Sequence, residues 1–263
     1  MNLQPYLDFT AELAAASEEI IVPLFGARDC GLEIKADDSP VTIADRESER
    51  VMRAMIESKF PGHGIIGEEF GAQNVESEWV WVLDPVDGTR SFVAGIPLFG
   101  TLIGLLHHGK PVVGCVNQPI LKQLLIGDNH TATLNGETVR ASQTDDLKRS
   151  LLLTTDPLRP AKCHCGERWG NLACEVGTVR TWGDCYGFLM VATGRADIMI
   201  DTRMAAWDIL PIVPCLRGAG AQISCWDGSP MLDFEPSHLE GKPYSCVATA
   251  PALHGEVVAL LNG

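Results

Sequence analysis

A strand that ends in two carboxylates and a tight turn constrains the fold of this chain more than any other segment. Residues 81–89 read Trp-Val-Leu-Asp-Pro-Val-Asp-Gly-Thr, so Asp84 and Asp87 directly follow an apolar run. Pro85 fixes its own φ and biases the preceding residue toward an extended backbone, and Gly88 bends without a Cβ clash. Both acids can then face one point, and carboxylates suit Mg²⁺ shared with a substrate phosphate. The pattern predicts phosphate chemistry, and the alternative is an Asx-type turn that closes a strand.

Three further acids stand where apolar segments end or begin. Glu68 follows the run Gly-Ile-Ile-Gly, which predicts a second strand end. Asp45 opens one helical pattern of apolar residues, and Asp208 opens another. An Asp at a helix start is usually a cap or a partner of the helix dipole, and this alternative stays open for each residue taken singly. The combination of acids is what favours a metal site.

Three motifs, in this order, resemble those of the inositol monophosphatase superfamily. They are Gly67-Glu68-Glu69, the segment 84–89 and Trp207-Asp208. Within the superfamily, the segments 88–92, 95–105 and 182–187 resemble the histidinol-phosphate phosphatase branch more than the inositol branch. The resemblance implies a layered αβαβα sandwich of the α+β or α/β class, a Mg²⁺-dependent phosphatase and a homodimer.

By the same resemblance, Mg²⁺ would be held by carboxylates and one backbone carbonyl. The implied ligands are Asp45, Glu68, Asp84, the Val86 carbonyl, Asp87 and Asp208. Asp84 would bridge the first and second ions, and Asp45 with Glu68 would hold a third ion through waters. The implied catalytic residues are Glu68, Thr89 and Asp45, with the Thr89 hydroxyl orienting the attacking water.

The implied substrate-binding residues lie around the phosphate and around its leaving group. The backbone amides of Gly88 and Thr89 are expected at a helix N-terminus, which suits phosphate oxygens. Arg90 is either a phosphate clamp or a surface arginine that pairs with a local acid. Asp184 and Asp201 would face the leaving group, and two acids there favour a cationic group such as that of histidinol phosphate. The alternative for Asp184 is a helix N-cap.

The spacing of apolar residues and turn residues predicts a single domain over residues 1–263. Its metal-site half, about 1–145, would hold helices at 3–25 and 43–59, a strand at 32–35, and an antiparallel meander of strands at 80–83, 102–106, 112–116 and 123–126. Its α/β half, about 146–263, would hold strands at 151–154, 198–200, 221–224 and 246–249, and helices at 162–173, 185–193, 206–216 and 251–261.

Charge and hydropathy narrow the class of partner. The formal net charge of −14 disfavours binding to nucleic-acid backbones and acidic membranes, although metal ions would reverse the field locally. The sequence has no apolar run long enough to span a bilayer, and its first residues lack the basic start of a secretory signal. We therefore expect a cytoplasmic enzyme whose substrate is a small phosphomonoester.

The nine cysteines fit a reducing compartment, because they are odd in number and lack paired spacing. The run Cys163-His164-Cys165, with Cys174 beyond, invites a zinc interpretation, against which stands a mobile loop or helix surface that carries thiols. The pair His107-His108, followed by Gly109, predicts exposed residues of a hairpin turn.

Three hypotheses about function follow. The first is a Mg²⁺-dependent histidinol-phosphate phosphatase of histidine biosynthesis. The second is a related phosphatase that acts on inositol 1-phosphate or on a 3′(2′),5′-bisphosphate nucleotide. The third is a family member that binds transcription machinery without catalysis, which the intact set of metal ligands disfavours.

Overall fold

The computed structural model describes residues 1–27, 30–35, 40–231, 234, 239 and 243–263. Its helices are α1 Gln4–Leu24, α2 Ile43–Lys59, α3 Thr89–Val93, α4 Arg159–Cys163, α5 Gly166–Glu175, α6 Asp184–Ala192, α7 Ala206–Ile209, α8 Val213–Gly218 and α9 His254–Asn262. Its strands are β1 Glu33–Ile34, β2 Pro40–Val41, β3 Gly64–Gly67, β4 Gly71–Gln73, β5 Trp79–Asp87, β6 Gly100–His107, β7 Lys110–Gln118, β8 Gln123–Gly127, β9 Ala132–Leu134, β10 Glu137–Thr138, β11 Leu151–Leu153, β12 Thr178–Arg180, β13 Ile198–Met204, β14 Gln222–Cys225 and β15 Tyr244–Thr249.

Helix α2 has the bounds that the sequence predicted, because its N-terminus is capped twice. The Thr42 hydroxyl accepts a hydrogen bond from the Ala44 amide, and Asp45 Oδ2 accepts one from the Thr42 amide at 2.8 Å. This is a capping box, which satisfies backbone donors that a helix start leaves unpaired. The buried face then repeats at helical spacing, through Met52 and Ile56.

Two sheets form the framework. The larger has the order β10-β9-β8-β7-β6-β5-β3-β4, in which β5 to β8 form the antiparallel meander that the sequence predicted and β3 lies parallel to β5. The smaller has the order β12-β11-β13-β15-β14, with β11 parallel to both of its neighbours.

Three apolar layers hold the sheets and helices together. Helices α1 and α2 cover one face of the larger sheet around Phe9 and Trp81. Helices α6, α7 and α8 lie between the two sheets, around Phe188 and Leu210. Helices α5 and α9 cover the outer face of the smaller sheet around Leu172. The predicted αβαβα sandwich is confirmed, and no helix within the described ranges has the length and apolarity needed to cross a bilayer.

Two predicted helices are each divided in the structure. The helix predicted at 206–216 is α7 and α8, since Pro211 lacks an amide hydrogen and cannot continue the first helix. The helix predicted at 162–173 is α4 and α5, which meet at His164 and Cys165. The His164 ring stacks on Trp226 with centroids 3.8 Å apart, and no cluster of metal-ligating atoms forms there among the residues described. The short strands β2, β4, β9, β10 and β12 were not predicted.

Candidate metal centre and active-site cavity

A bulge in β5 brings Asp84 and Asp87 to the same side of the sheet. Residues three apart in a regular strand point to opposite faces. Here Asp84 pairs with Leu102 and Asp87 pairs with Gly100, so three steps along β5 match two along β6. Because of this extra residue, the Asp87 side chain faces the same side of the sheet as that of Asp84. The Asx-type turn considered for this segment also forms, since the Val86 amide donates to Asp84 Oδ1 at 3.1 Å.

The first turn of α7 supplies a third carboxylate. Asp84, Asp87 and Asp208 each offer an oxygen, and these oxygens lie within 4.8 Å of one another. Asp208 also accepts a hydrogen bond from the Ala205 amide at 2.8 Å, so the capping role left open by the sequence coexists with its place in the cluster. The Asp87 carboxylate accepts a hydrogen bond from the Cys185 amide at the start of α6.

Glu68 reaches the same region from the neighbouring strand. Strand β3 runs parallel to β5 with Gly67 beside Leu83, and the Glu68 amide donates to the Leu83 carbonyl at 3.2 Å. The Lys35 ammonium lies 3.0 Å from Glu68 Oε1 and 2.5 Å from Glu69 Oε1. Sequence reasoning did not assign a role to Lys35, because its position relative to the glutamates depends on the fold.

A buried glutamate holds the turn that carries Glu68. The fully buried Glu49 carboxylate accepts hydrogen bonds from the Glu69 amide at 2.8 Å and from the Phe70 amide at 3.1 Å. Its counter-ion is the Arg53 guanidinium, whose Nε lies 2.7 Å away. A Cβ at Gly67 would lie 2.0 Å from Glu49 Oε1, so a larger residue here would displace the Glu49 carboxylate from the amides whose hydrogen bonds it accepts.

Asp45 and Thr89 form a contact beside the cluster. Asp45 Oδ2 is occupied by the Thr42 amide and hydroxyl, at 2.8 and 2.6 Å. Asp45 Oδ1 lies 3.4 Å from the Thr89 hydroxyl, which also lies 3.0 Å from the Val86 carbonyl oxygen. Helix α3 begins at Thr89, and its N-cap Gly88 has φ +86°, a conformation that favours glycine.

The protonation of these acids is strongly perturbed. Burial raises the pKa of Asp45 to about 6, that of Asp208 to about 7 and that of Asp87 to about 8, and nearby carboxylates add to each shift. Burial also raises the pKa of Asp84, with repulsion from Glu68 as the next cause. Like charges this close need protons or cations between them. An all-oxygen donor set of this kind fits hard divalent cations such as Mg²⁺.

A cavity of about 610 Å³ opens beside these acids. Its lining includes the predicted Glu68, Gly88, Thr89, Arg90 and Asp184, together with Thr155, Asp156 and Arg159, which the sequence analysis missed. Thr155 and Asp156 follow the end of β11, so the strand-end rule that located Asp84 would also have located them, whereas Arg159 begins α4. Arg90 is exposed at this lining.

The structure brings the two predicted substrate acids to one threonine. The Thr155 hydroxyl donates to Asp201 Oδ2 and accepts a hydrogen bond from the Asp184 amide at 2.8 Å. Asp201 is only 6% exposed. The N-cap of α6 is Gly183, so the N-cap alternative for Asp184 is wrong. Burial raises the pKa of both acids, and the Asp87 charge raises that of Asp184 further.

Comparison with known proteins places this architecture among phosphatases. The sequence pattern of the "Inositol monophosphatase family" matches residues 2–262. The bifunctional phosphatase IMPL2, chloroplastic, of Arabidopsis thaliana is 39% identical over 254 residues, which cover 95% of this chain and 73% of that protein. A histidinol-phosphatase of Chlorobaculum parvum is 36% identical over 229 residues, 86% of each chain. A solved inositol monophosphatase from Zymomonas mobilis superposes with a TM-score of 0.86 at 30% identity over 100% of both chains.

Proposed function

This chain belongs to the inositol monophosphatase family of phosphatases, and from that premise we propose that it is a Mg²⁺-dependent enzyme that hydrolyses histidinol phosphate to histidinol and phosphate. The observation that carries the choice of substrate is a pair of acids that both contact Thr155: the half-buried Asp184, which lines the cavity, and the buried Asp201. The likeness to a histidinol-phosphatase over most of the chain supports the same choice.

In this proposal, six groups hold the Mg²⁺ ions: Asp45, Glu68, Asp84, the Val86 carbonyl, Asp87 and Asp208. The bound ions supply a water of lowered pKa and neutralise charge on the phosphoryl oxygens. The three-carboxylate cluster supports this assignment, because its oxygens lie within 4.8 Å of one another and its charges repel in the absence of cations.

The protein's own groups would align the attacking water and move its proton. The Thr89 hydroxyl lies within 3.4 Å of Asp45 Oδ1, so it can accept a proton from the water while donating its own toward that carboxylate. Glu68 would act on the same water from the adjacent strand end. The amides of Gly88 and Thr89, with Arg90, would hold the phosphate oxygens.

The leaving group would meet Asp184. The Asp184 carboxylate lies close to Gly88, whose amide belongs to the proposed phosphate site, since a Cβ at Gly88 would be 3.1 Å from Asp184 Oδ2. Histidinol carries an amine and an imidazole, and a cation there would relieve a carboxylate whose pKa is raised by burial. Inositol offers neutral hydroxyls only, so it would add no positive charge beyond that of Arg159, which already lowers the pKa of Asp184.

A phosphate-release assay on a panel of substrates tests the proposal. The panel contains histidinol phosphate, inositol 1-phosphate, adenosine 3′,5′-bisphosphate and fructose 1,6-bisphosphate, each with saturating Mg²⁺. We expect the highest kcat/KM on histidinol phosphate. Preference for inositol 1-phosphate, the second candidate favoured by the Zymomonas structure, would overturn the substrate assignment, as would preference for the bisphosphate nucleotide. Absence of turnover on all four would favour a non-catalytic role such as binding transcription machinery.

A matched pair of variants tests the role of Asp184. Asp184→Asn should raise KM for histidinol phosphate by about tenfold or more while changing that for a small uncharged phosphomonoester little, because only the former loses a charge-assisted contact. Asp145→Asn makes the same charge change at an exposed site and should alter neither. An equal loss on both substrates for Asp184→Asn would assign it a structural role instead. The homodimer, the cytoplasmic location and the two halves of the domain stay predictions.

A further inference from the structure

A second group of metal-ligating side chains lies at the opposite end of β5. Glu78 immediately precedes the strand, His107 ends β6, and His108 follows in the turn to β7. His107 Nε2 lies 2.9 Å from Glu78 Oε1, and His108 Nε2 lies 3.8 Å from the same oxygen. One donor atom from each of the three residues lies within 4.8 Å of the others. None of them takes part in the proposed hydrolysis.

Backbone pairing, rather than charge alone, brings the three side chains together. His107 is the register partner of Trp79, and the His108 amide donates to the Glu78 carbonyl at 2.8 Å. His108 and Gly109 both have positive φ, at 49° and 76°, as in the type I′ turn that joins antiparallel strands. Adjacent residues of a continuing strand would point to opposite faces, whereas the turn leaves the two imidazole rings 4.4 Å apart.

The cluster combines one anchored ligand with two accessible ones. The His107 side chain is 20% exposed, and its ring packs 4.2 Å from that of Trp79. Glu78 and His108 are 58% and 68% exposed, so an ion from solvent can reach them. The packed imidazole of His107 and the two exposed side chains can close around an ion by side-chain rotation, without moving the backbone.

The donor set selects a different class of ion from the catalytic cluster. Bonds of about 2.0–2.1 Å in a tetrahedral zinc site place donors roughly 3.4 Å apart, and the observed 2.9 and 3.8 Å bracket that spacing. Two imidazoles and a carboxylate suit Zn²⁺ and related transition metals, whereas Mg²⁺ prefers oxygen alone. Six residues of extended chain, about 20 Å, separate Glu78 from Asp84, so the two sites can fill independently.

We propose that Glu78, His107 and His108 form a surface site for a borderline transition metal such as Zn²⁺, with the remaining coordination position open to water. Such an ion would link the start of β5 to the β6–β7 hairpin and stabilise the folded chain by an amount that grows with the ratio of free Zn²⁺ to its Kd. The site goes beyond the proposed phosphatase activity and does not depend on which substrate is hydrolysed.

Calorimetric titration with Zn²⁺ tests the site on tag-free protein kept in excess Mg²⁺. The wild type should bind with a Kd that rises about tenfold or more in His107→Gln and in His108→Asn, since each loses one of three ligands. Asn suits the left-handed turn position, so the second variant keeps the hairpin. His130→Gln removes an exposed histidine from the β8–β9 turn and should bind as the wild type does.

The melting temperature gives an independent readout. Zn²⁺ should raise it in the wild type and in His130→Gln, but much less in the two hairpin variants. Zinc affinity that is unchanged in both hairpin variants would overturn the proposal. Loss of binding on Cys163→Ser, with the hairpin intact, would assign the ion to the exposed thiols instead. Absence of measurable Zn²⁺ binding to the wild type would also refute the site.

Discussion

Replacing Asp87 by asparagine should make the metal-free protein more stable while abolishing phosphatase activity. Asp87 belongs to a cluster of like charges, and burial with repulsion from Asp208 raises its pKa to about 8. Asn has nearly the same volume and its side-chain oxygen can still accept the hydrogen bond from the Cys185 amide. The variant therefore removes the repulsion without opening a cavity.

The size of the gain follows from proton linkage. The pKa of Asp87 is about 8 in the folded chain against an ordinary value of 3.8 in the unfolded chain, so the folded state binds more protons between these values and stability falls as the pH rises through them. At pH 7 the full cost is about 4 kcal/mol, at about 1.4 kcal/mol per pKa unit. Protonation of the neighbouring acids absorbs part of this cost, so we expect a gain of about 2–4 kcal/mol.

Thermal melting without divalent ions measures the effect. The gain corresponds to a rise in Tm of roughly 4–16 °C at pH 7, shrinking as the pH falls toward 4. Added Mg²⁺ should raise the Tm of the wild type by more than that of Asp87→Asn, because the variant lacks one of the six proposed ligand groups. The control is Asp197→Asn, outside the cluster. Asp197 accepts hydrogen bonds on both carboxylate oxygens, from the Ser142 hydroxyl and from the Leu151 amide at 2.8 Å, and an amide oxygen can keep only one of them. This variant should lose about 1–3 kcal/mol and keep its Mg²⁺ response.

Two results would refute the reasoning about Asp87. A metal-free Asp87→Asn protein less stable than the wild type at pH 7 would mean that burial and the charge of Asp208 do not raise the pKa of Asp87 in the folded state. Near wild-type turnover at saturating Mg²⁺ would remove Asp87 from the essential ligands.

Three shorter predictions concern the acids around the cavity. Glu68→Gln should lose most of its kcat and keep its substrate affinity, and lost affinity with unchanged single-turnover chemistry would reassign Glu68 to recruitment of metal or substrate. Glu49→Ala should lower the free energy of unfolding by about 3–5 kcal/mol in urea titrations, because it leaves the buried Arg53 charge and two amides unpaired; a loss under about 1 kcal/mol would contradict this. Mg²⁺ affinity should rise between pH 6 and pH 8, since Asp208 and Asp87, with pKa values of about 7 and about 8, must deprotonate to bind it; a flat calorimetric profile would count against that ligand set.

The sequence predicted the parts of the site that local chemistry determines. The capping contacts of Asp45 are with Thr42, three residues before it, and the apolar run before Asp84 identified a strand end. The spacing of apolar residues, which is also a local feature, predicted the positions of helices and strands across the sandwich. These features depend on neighbours along the chain, which a sequence displays directly.

The parts that it missed depend on contacts between distant segments. Glu49 reads as an ordinary acid on an exposed helix face, and only the packing of α2 against the turn after β3 buries it. Thr155 joins two acids that stand 29 and 46 residues away. The bulge in β5 is set by pairing with β6, so the sequence suggested that Asp84 and Asp87 could converge without showing how. Pro211 is a local signal for the break between α7 and α8, but the prediction of one helix at 206–216 gave more weight to the helical periodicity.

The carboxylate of Glu49 has a consequence for how the site withstands change. Asp45 and Glu49 lie one helical turn apart on α2, about 6 Å along its axis. Glu49 accepts hydrogen bonds from the turn that carries Glu68. Helix α2 therefore determines the distance between Asp45, which it carries, and Glu68, whose turn is hydrogen-bonded to Glu49. Substitutions that shift α2 along its axis would move Asp45 and Glu68 together. The distance between these two acids can therefore be preserved when substitutions change the packing on the outer face of the sandwich.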